Sequence, residues 1–220
     1  MLSTIIFFFS FFSFRLKNLF GDSTVDSKNK CTDQQKAGLA RHNELRALHG
    51  SPPMKMTVAL NQAAQAYAEE LAAKGQMAHA TNLQELGQGE NLAWAWSSNG
   101  ANANYAGSTQ QDSVQFLYDS LSMSHSLWVS LISRQIFNVL FLNSEKWYNE
   151  IDDPGYDFSN PGWSSGIGHF TQVVWVKSTE LGMGHASTPD GSVYTVARYA
   201  PAGNFMGQFA DNVPNLVWIE

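Results

Sequence analysis

The run Gly168-His169-Phe170-Thr171-Gln172-Val173-Val174-Trp175-Val176-Lys177-Ser178 decides how this chain is read. Its centre, Phe170–Trp175, is a short apolar element, and Gly166-Ile167-Gly168 ahead of it reads as the turn that starts it. Upstream, residues 152–166 (DDPGYDFSNPGWSSG) are dense in Gly, Pro, Asp and Ser and form a loop, entered from a helical end at Lys146–Ile151. Downstream, strand-like runs at Leu181–Ser187 and Ser192–Tyr199 flank Thr188-Pro189-Asp190-Gly191, a hairpin signal. Further out, Thr32–His49 carries helical spacing until Gly50 and Pro52-Pro53 stop it. Val58–Lys74 places Leu60, Ala64, Tyr67 and Leu71 on one stripe, with Gly75 behind, and Asn91–Trp96 reads as a short buried strand. Helices first and a hairpin last predict an α+β fold with α-β-α layering rather than a βαβ winding.

The 220 residues suffice for one domain with its own core. With 44% apolar and 15% charged residues, a disordered chain and a coiled coil are excluded. Net charge is −6; residues 1–30 hold four basic and two acidic groups, so the remainder carries −8. A domain this acidic has no electrostatic footprint for nucleic acid and little pull toward anionic lipid. The single cysteine, Cys31, rules out an internal disulfide and a multi-cysteine zinc site.

Two stretches stand apart. Residues 1–14 (MLSTIIFFFSFFSF) are nearly all apolar and have the length of a signal-peptide core, although no basic region precedes them. Residues 1–30 are therefore expected to be a signal or anchor segment, or a wrongly assigned start, followed by a polar linker; 31–220 form the domain. Within it, residues 114–144 mix Ser, Leu and Phe without sustained period and carry few charges. They are expected to be an insertion, a translated intron or lineage-specific, with no part in the chemistry.

Six histidines are present, with neither His-Glu-x-x-His, Gly-x-Ser-x-Gly nor a phosphate-binding glycine loop. Four strings carry more information: His42-Asn43-x-x-Arg46, Gly89-Glu90-Asn91-Leu92, the 168–178 run, and Tyr194-Thr-Val-Ala-Arg-Tyr-Ala-Pro-Ala-Gly-Asn204. Their order and spacing resemble the CAP superfamily of cysteine-rich secretory proteins, antigen 5 and plant pathogenesis-related protein 1. Among these the likeness is greatest to the Golgi-associated plant pathogenesis-related group, which lacks the secreted members' disulfides. The resemblance covers residues 34–113 and 145–213.

That resemblance implies an α-β-α sandwich (the CAP/SCP domain) with a central cleft lined by His79, Glu90, Glu150 and His169. Two neutral imidazoles with two carboxylates suit Zn²⁺ or another divalent cation: His79 and His169 as ligands, Glu90 and Glu150 in the first or second shell, and no metal needed for folding. The alternative is a buried polar network without a metal. His42, Asn43, Arg46, Asn91 and Asn204 are expected to hydrogen-bond the core, Trp94, Trp96, Trp147, Trp163 and Trp175 to pack, and His185 to be a solvated strand residue. The implied function is non-enzymatic binding of a small apolar ligand (sterol, fatty acid or phospholipid) or of a protein partner, with no catalytic residue assigned. A metal-dependent hydrolase and a Golgi or membrane-associated scaffold are the alternatives. Ser97 falls on the wrong strand face for serine chemistry. The chain begins Met1-Leu2 and so lacks the myristoylation glycine of the Golgi-associated group. The secretory pathway or extracellular space is the expected compartment, with Golgi membrane or cytoplasm as alternatives; membrane association and homodimerisation stay open.

Overall fold

Thr32 opens the first helix, α1 (Asp33–Ala47), with a reciprocal cap: its hydroxyl accepts from the Gln35 N–H at 3.2 Å while the Gln35 side chain accepts from the Thr32 N–H at 2.9 Å. After the two-residue strand β1 (Lys55–Met56), Thr57 caps α2 (Val58–Lys74) by accepting from Leu60 N–H, and Gly75 at φ +61° ends it. The structure, a computed structural model, describes residues 31–96 and 139–217. Within them follow a single turn α3 (Leu83–Leu86), β2 (Gly89–Trp96), α4 (Val139–Tyr148) running into a 3-10 turn (Asn149–Ile151), α5 (Gly168–Val174), β3 (Glu180–Ser187), β4 (Ser192–Ala200) and the turn α6 (Phe209–Asn212). The apolar leader, its linker, Ser97 and residues 114–138 lie outside the described residues.

One four-stranded sheet, ordered β1-β3-β4-β2, forms the middle layer, with β1 parallel to β3 and the other pairs antiparallel. Side chains of β4 alternate between two cores, as a pleated strand requires. Tyr194 and Val196 meet Ala64, Ala68 and Leu71 of α2 on one face. Ala197 and Tyr199 face the larger core, with Leu45 of α1, Leu140 and Trp147 of α4, and Phe170 of α5. α2 lies so close to β3 that a Cβ on Gly182 would stand 2.1 Å from the Leu60 backbone, and one on Gly184 2.4 Å from Gln65. Glycine at both positions is what permits the approach. The result is the α-β-α sandwich.

Two expectations change. Residues 139–144, placed in the insertion, begin α4 instead: Leu140, Asn143 and Ser144 are buried, and Asn143 donates to Thr195 Oγ1 at 3.0 Å. Their Leu-Phe-Leu composition resembled the preceding stretch, which hid the boundary. Of these five tryptophans, Trp147 and Trp175 are core, whereas Trp94, Trp96 and Trp163 are exposed; the first two lie on the second half of the edge strand β2.

Candidate functional site

β2 is the edge strand of the described sheet, and its second residue holds the first histidine. The Glu90 side chain is 0% exposed, and Oε1 accepts from His79 Nδ1 at 2.7 Å and from Ala80 N–H at 3.1 Å. His79, on the irregular segment between α2 and α3, is 60% exposed. An ionised carboxylate only accepts, so Nδ1 carries the proton and Nε2 is left with a lone pair. The other carboxylate oxygen, Oε2, stands 2.9 Å from Arg198 Nε, whose N–H is not aimed along the contact, so the attraction is Coulombic. Arg198 faces Glu90 directly across the β2–β4 ladder and is itself buried.

The second pair is built at the start of α5. Glu150, on the 3-10 turn, accepts from His169 Nδ1 at 2.5 Å through Oε1 and from the His169 and Phe170 N–H groups at 2.9 and 3.1 Å through Oε2. It thus satisfies orphan donors of the first helical turn while fixing the imidazole with Nε2 as the unprotonated nitrogen. Trp147 stacks on that ring, the centroids 6.2 Å apart at 23°. Asn91 Nδ2 donates to the His169 carbonyl at 3.1 Å and to Tyr199 Oη at 3.0 Å. Because Glu90 and Asn91 are consecutive on β2, both histidines are tied to the same end of one strand.

The carboxylates therefore sit behind the imidazoles as acceptors from Nδ1. Among the described residues no group of three or more His, Cys, Asp or Glu is arranged to share a metal ion. Glu90 Oε1 and both Glu150 oxygens accept hydrogen bonds, and Glu90 Oε2 faces Arg198 at 2.9 Å.

The residues expected to hold the core are placed as follows. His42 is fully buried, Nδ1 donating to Gly38 O at 3.0 Å and Nε2 accepting from Tyr199 Oη at 2.9 Å; burial pulls its pKa down to about 4. Asn43 bonds both backbone groups of Met54, at 3.0 and 2.8 Å. Arg46, buried and with no carboxylate partner among the described residues, donates to the carbonyls of Pro52, Val173, Trp175 and Ser178, and burial lowers it to about 10. Asn204, at φ +60°, donates to Gly168 O at 2.8 Å and accepts from Thr171 Oγ1 at 2.7 Å, locking the loop after β4 onto the start of α5. His185 is half-buried rather than solvated, and burial lowers its pKa.

Sequence reading passed over Tyr199, which joins His42 to Asn91, and Arg198, which joins Glu90. Both lie in the 194–204 string, but their roles depend on the strand register. It also passed over Gln172, whose Oε1 accepts from Gly203 N–H at 2.8 Å and whose Nε2 donates to Ser178 Oγ at 3.0 Å.

Residues 39–199 match the family described as "CAP: Cysteine-rich secretory protein family". The human Golgi-associated plant pathogenesis-related protein 1 is 36% identical over 177 residues, covering 80% of this chain and 88% of that protein. Secreted protein RBT4 of Candida albicans is 29% identical over 171 residues, which are 77% of this chain and 35% of its own length. The crystal structure of NaASP2 with Zn²⁺ is similar in fold at 19% identity and TM-score 0.52, with 87% of this chain and 90% of that one covered. No helix among the described residues is long and apolar enough to cross a membrane.

Proposed function

On the premise that this chain belongs to the cysteine-rich secretory protein (CAP) family, we propose that it works by binding rather than by catalysis. One observation carries this: each carboxylate serves as the acceptor for its own histidine's Nδ1–H, Glu90 at 2.7 Å and Glu150 at 2.5 Å, and is held there by backbone N–H groups or by Arg198, which makes both supports for the imidazoles. Among the described residues, neither imidazole hydrogen-bonds a Ser, Thr or Cys that it would activate as a nucleophile.

We infer further that the two histidines take a divalent cation. Carboxylate–histidine pairing through Nδ1 is how metal-ligating histidines are oriented and made basic, leaving Nε2 as the ligand atom. His79 and His169 would hold the ion through Nε2, Glu90 and Glu150 would orient the rings, and water or a bound ligand would complete the coordination. The relative solved with Zn²⁺ supports zinc as the ion. Bound there, the cation would supply a fixed positive charge to an acceptor oxygen of the ligand. Trp163 supplies an apolar flank, being exposed and packed on Gly168 beside His169. A molecule with one polar oxygen and an apolar body (a sterol, fatty acid or phospholipid) suits such a site. The apolar leader and the secreted and Golgi-associated relatives support action in the secretory pathway.

Calorimetric titration of ZnCl₂ tests the reading on the parent protein, His169→Ala and His185→Ala. The parent is expected to bind zinc, His169→Ala to lose more than about tenfold in affinity, and His185→Ala to match the parent. Absence of zinc heat in the parent, or equal losses in both variants, removes the metal site. Zinc-dependent ester or peptide hydrolysis that disappears in His169→Ala replaces binding with catalysis.

A further inference from the structure

We propose that Arg198 is the positioning residue for His79, holding both the carboxylate that orients the ring and the backbone that carries it. The inference rests on reading His79 Nε2 as the outward ligand atom. His79 belongs to an irregular segment and is mostly exposed, so no packing of its own fixes the ring. Instead the chain is pinned on both sides of it. Ahead, the Ala78 carbonyl accepts from Tyr67 Oη at 2.7 Å; behind, the Ala80 N–H donates to Glu90 Oε1 at 3.1 Å.

Both pins meet at Arg198. Its guanidinium carbon lies 5.0 Å from the Tyr67 ring centroid, a cation–π distance, and its Nε lies 2.9 Å from Glu90 Oε2. Gln88 Oε1 accepts from Nη1 at 3.3 Å and steadies the far end. Arg198 thereby draws Oε2 toward β4 and turns Oε1 toward His79 Nδ1 and Ala80 N–H. A carboxylate with 0% exposure has no solvent to offset its charge, so a fixed cation beside it is what keeps it in that orientation. His169 has no such dependence: Glu150 is held by two backbone N–H groups of the helix it caps. The two halves of the site are therefore supported by different means, and only one runs through an arginine.

The difference gives the test an internal control. In the metal-free protein at about pH 8, above the ordinary histidine range, ¹⁵N NMR of the imidazoles reports which nitrogen carries the proton. Both His79 and His169 are expected as Nδ1–H in the parent. Arg198→Met is expected to move His79 to the Nε2–H form that histidine favours in water and to leave His169 unchanged. Arg198→Lys keeps a cation but loses the planar fork, so it serves if the methionine variant does not fold; a mixture of both His79 forms is expected there. His79 remaining wholly Nδ1–H in these variants, or His169 shifting equally with it, overturns the proposal. Zinc titration supplies a second readout: the affinity lost in Arg198→Met should vanish when the substitution is made in a Glu90→Gln background, because the arginine acts through that carboxylate. An equal loss in both backgrounds also overturns it. A parent that binds no zinc yet shows the Arg198-dependent tautomer refutes the metal reading of the site and leaves the positioning role standing.

Discussion

Replacing Arg46 with methionine should cost more stability than any other single change on α1. The guanidinium is fully buried and donates to four carbonyls within 3.0 Å: Pro52 at 2.8 Å, Val173 at 2.9 Å, Trp175 at 2.8 Å and Ser178 at 3.0 Å. Val173 and Trp175 lie at the carboxyl end of α5, where helical carbonyls lack intrahelical partners, so Arg46, from α1, caps the end of the helix that carries His169. Methionine replaces the aliphatic stem but ends short of the guanidinium and has no donor. Each buried acceptor left without a partner costs ~1–3 kcal/mol. Removing the cost of burying an unpaired cation returns part of this, leaving a net loss of about 3–5 kcal/mol. For a domain of this size that lowers Tm by about 6–20 °C. Arg46→Lys presents three donors from one point and cannot span four divergent carbonyls, so it should recover about half of the loss. Thermal melts followed by circular dichroism, with urea midpoints alongside, measure both variants. A methionine variant melting within about 2 °C of the parent, or a lysine variant equal to arginine, would refute the reasoning.

Acid should weaken the fold through His42. Its pKa in the folded chain is about 4 against 6.5 unfolded, so the unfolded state takes the proton first; stability present above pH 6.5 is lost as the pH falls toward 4, by up to ~3 kcal/mol. Urea midpoints at neutral pH and at about pH 5 should separate in the parent and approach each other in His42→Gln, the remainder coming from His49 and His185, which burial also lowers. Tyr199→Phe strands His42 Nε2 and one of the two N–H groups of Asn91 Nδ2 and should cost about 1–3 kcal/mol by urea unfolding; a neutral result would mean that neither bond contributes. Deleting residues 114–138 should shift Tm by less than about 2 °C. Deleting 114–144 should abolish the cooperative melt, because it also removes buried Leu140, Asn143 and Ser144, the last hydrogen-bonded to His42.

What the sequence disclosed and what it withheld follow one physical division. α2 was legible to the residue because an apolar stripe and the Gly75 behind it are local signals. The β3–β4 hairpin was legible because Thr188-Pro189-Asp190-Gly191 marks its turn. Glu90 and His169 could be singled out because each stands in a contiguous string. The start of α4 was hidden, since its Leu-Phe-Leu composition resembles that of the apolar sequence before it. Arg198 stood in plain view inside one of the four strings with its role invisible, because Glu90 meets it only through the register that sets residue 90 opposite residue 198. Register also explains how each histidine meets its support on β2. Consecutive side chains of a strand point to opposite faces. Glu90 therefore reaches the α2 side, where it holds His79, while Asn91 reaches the α5 side, where it holds the carbonyl of His169. A slip of one residue would exchange the two faces, leaving Glu90 against Tyr199 and Asn91 against Arg198, and both histidines would lose their supports at once. The Gly89-Glu90-Asn91 order is thus a positional requirement of the site itself, beyond the propensity of those residues for a strand.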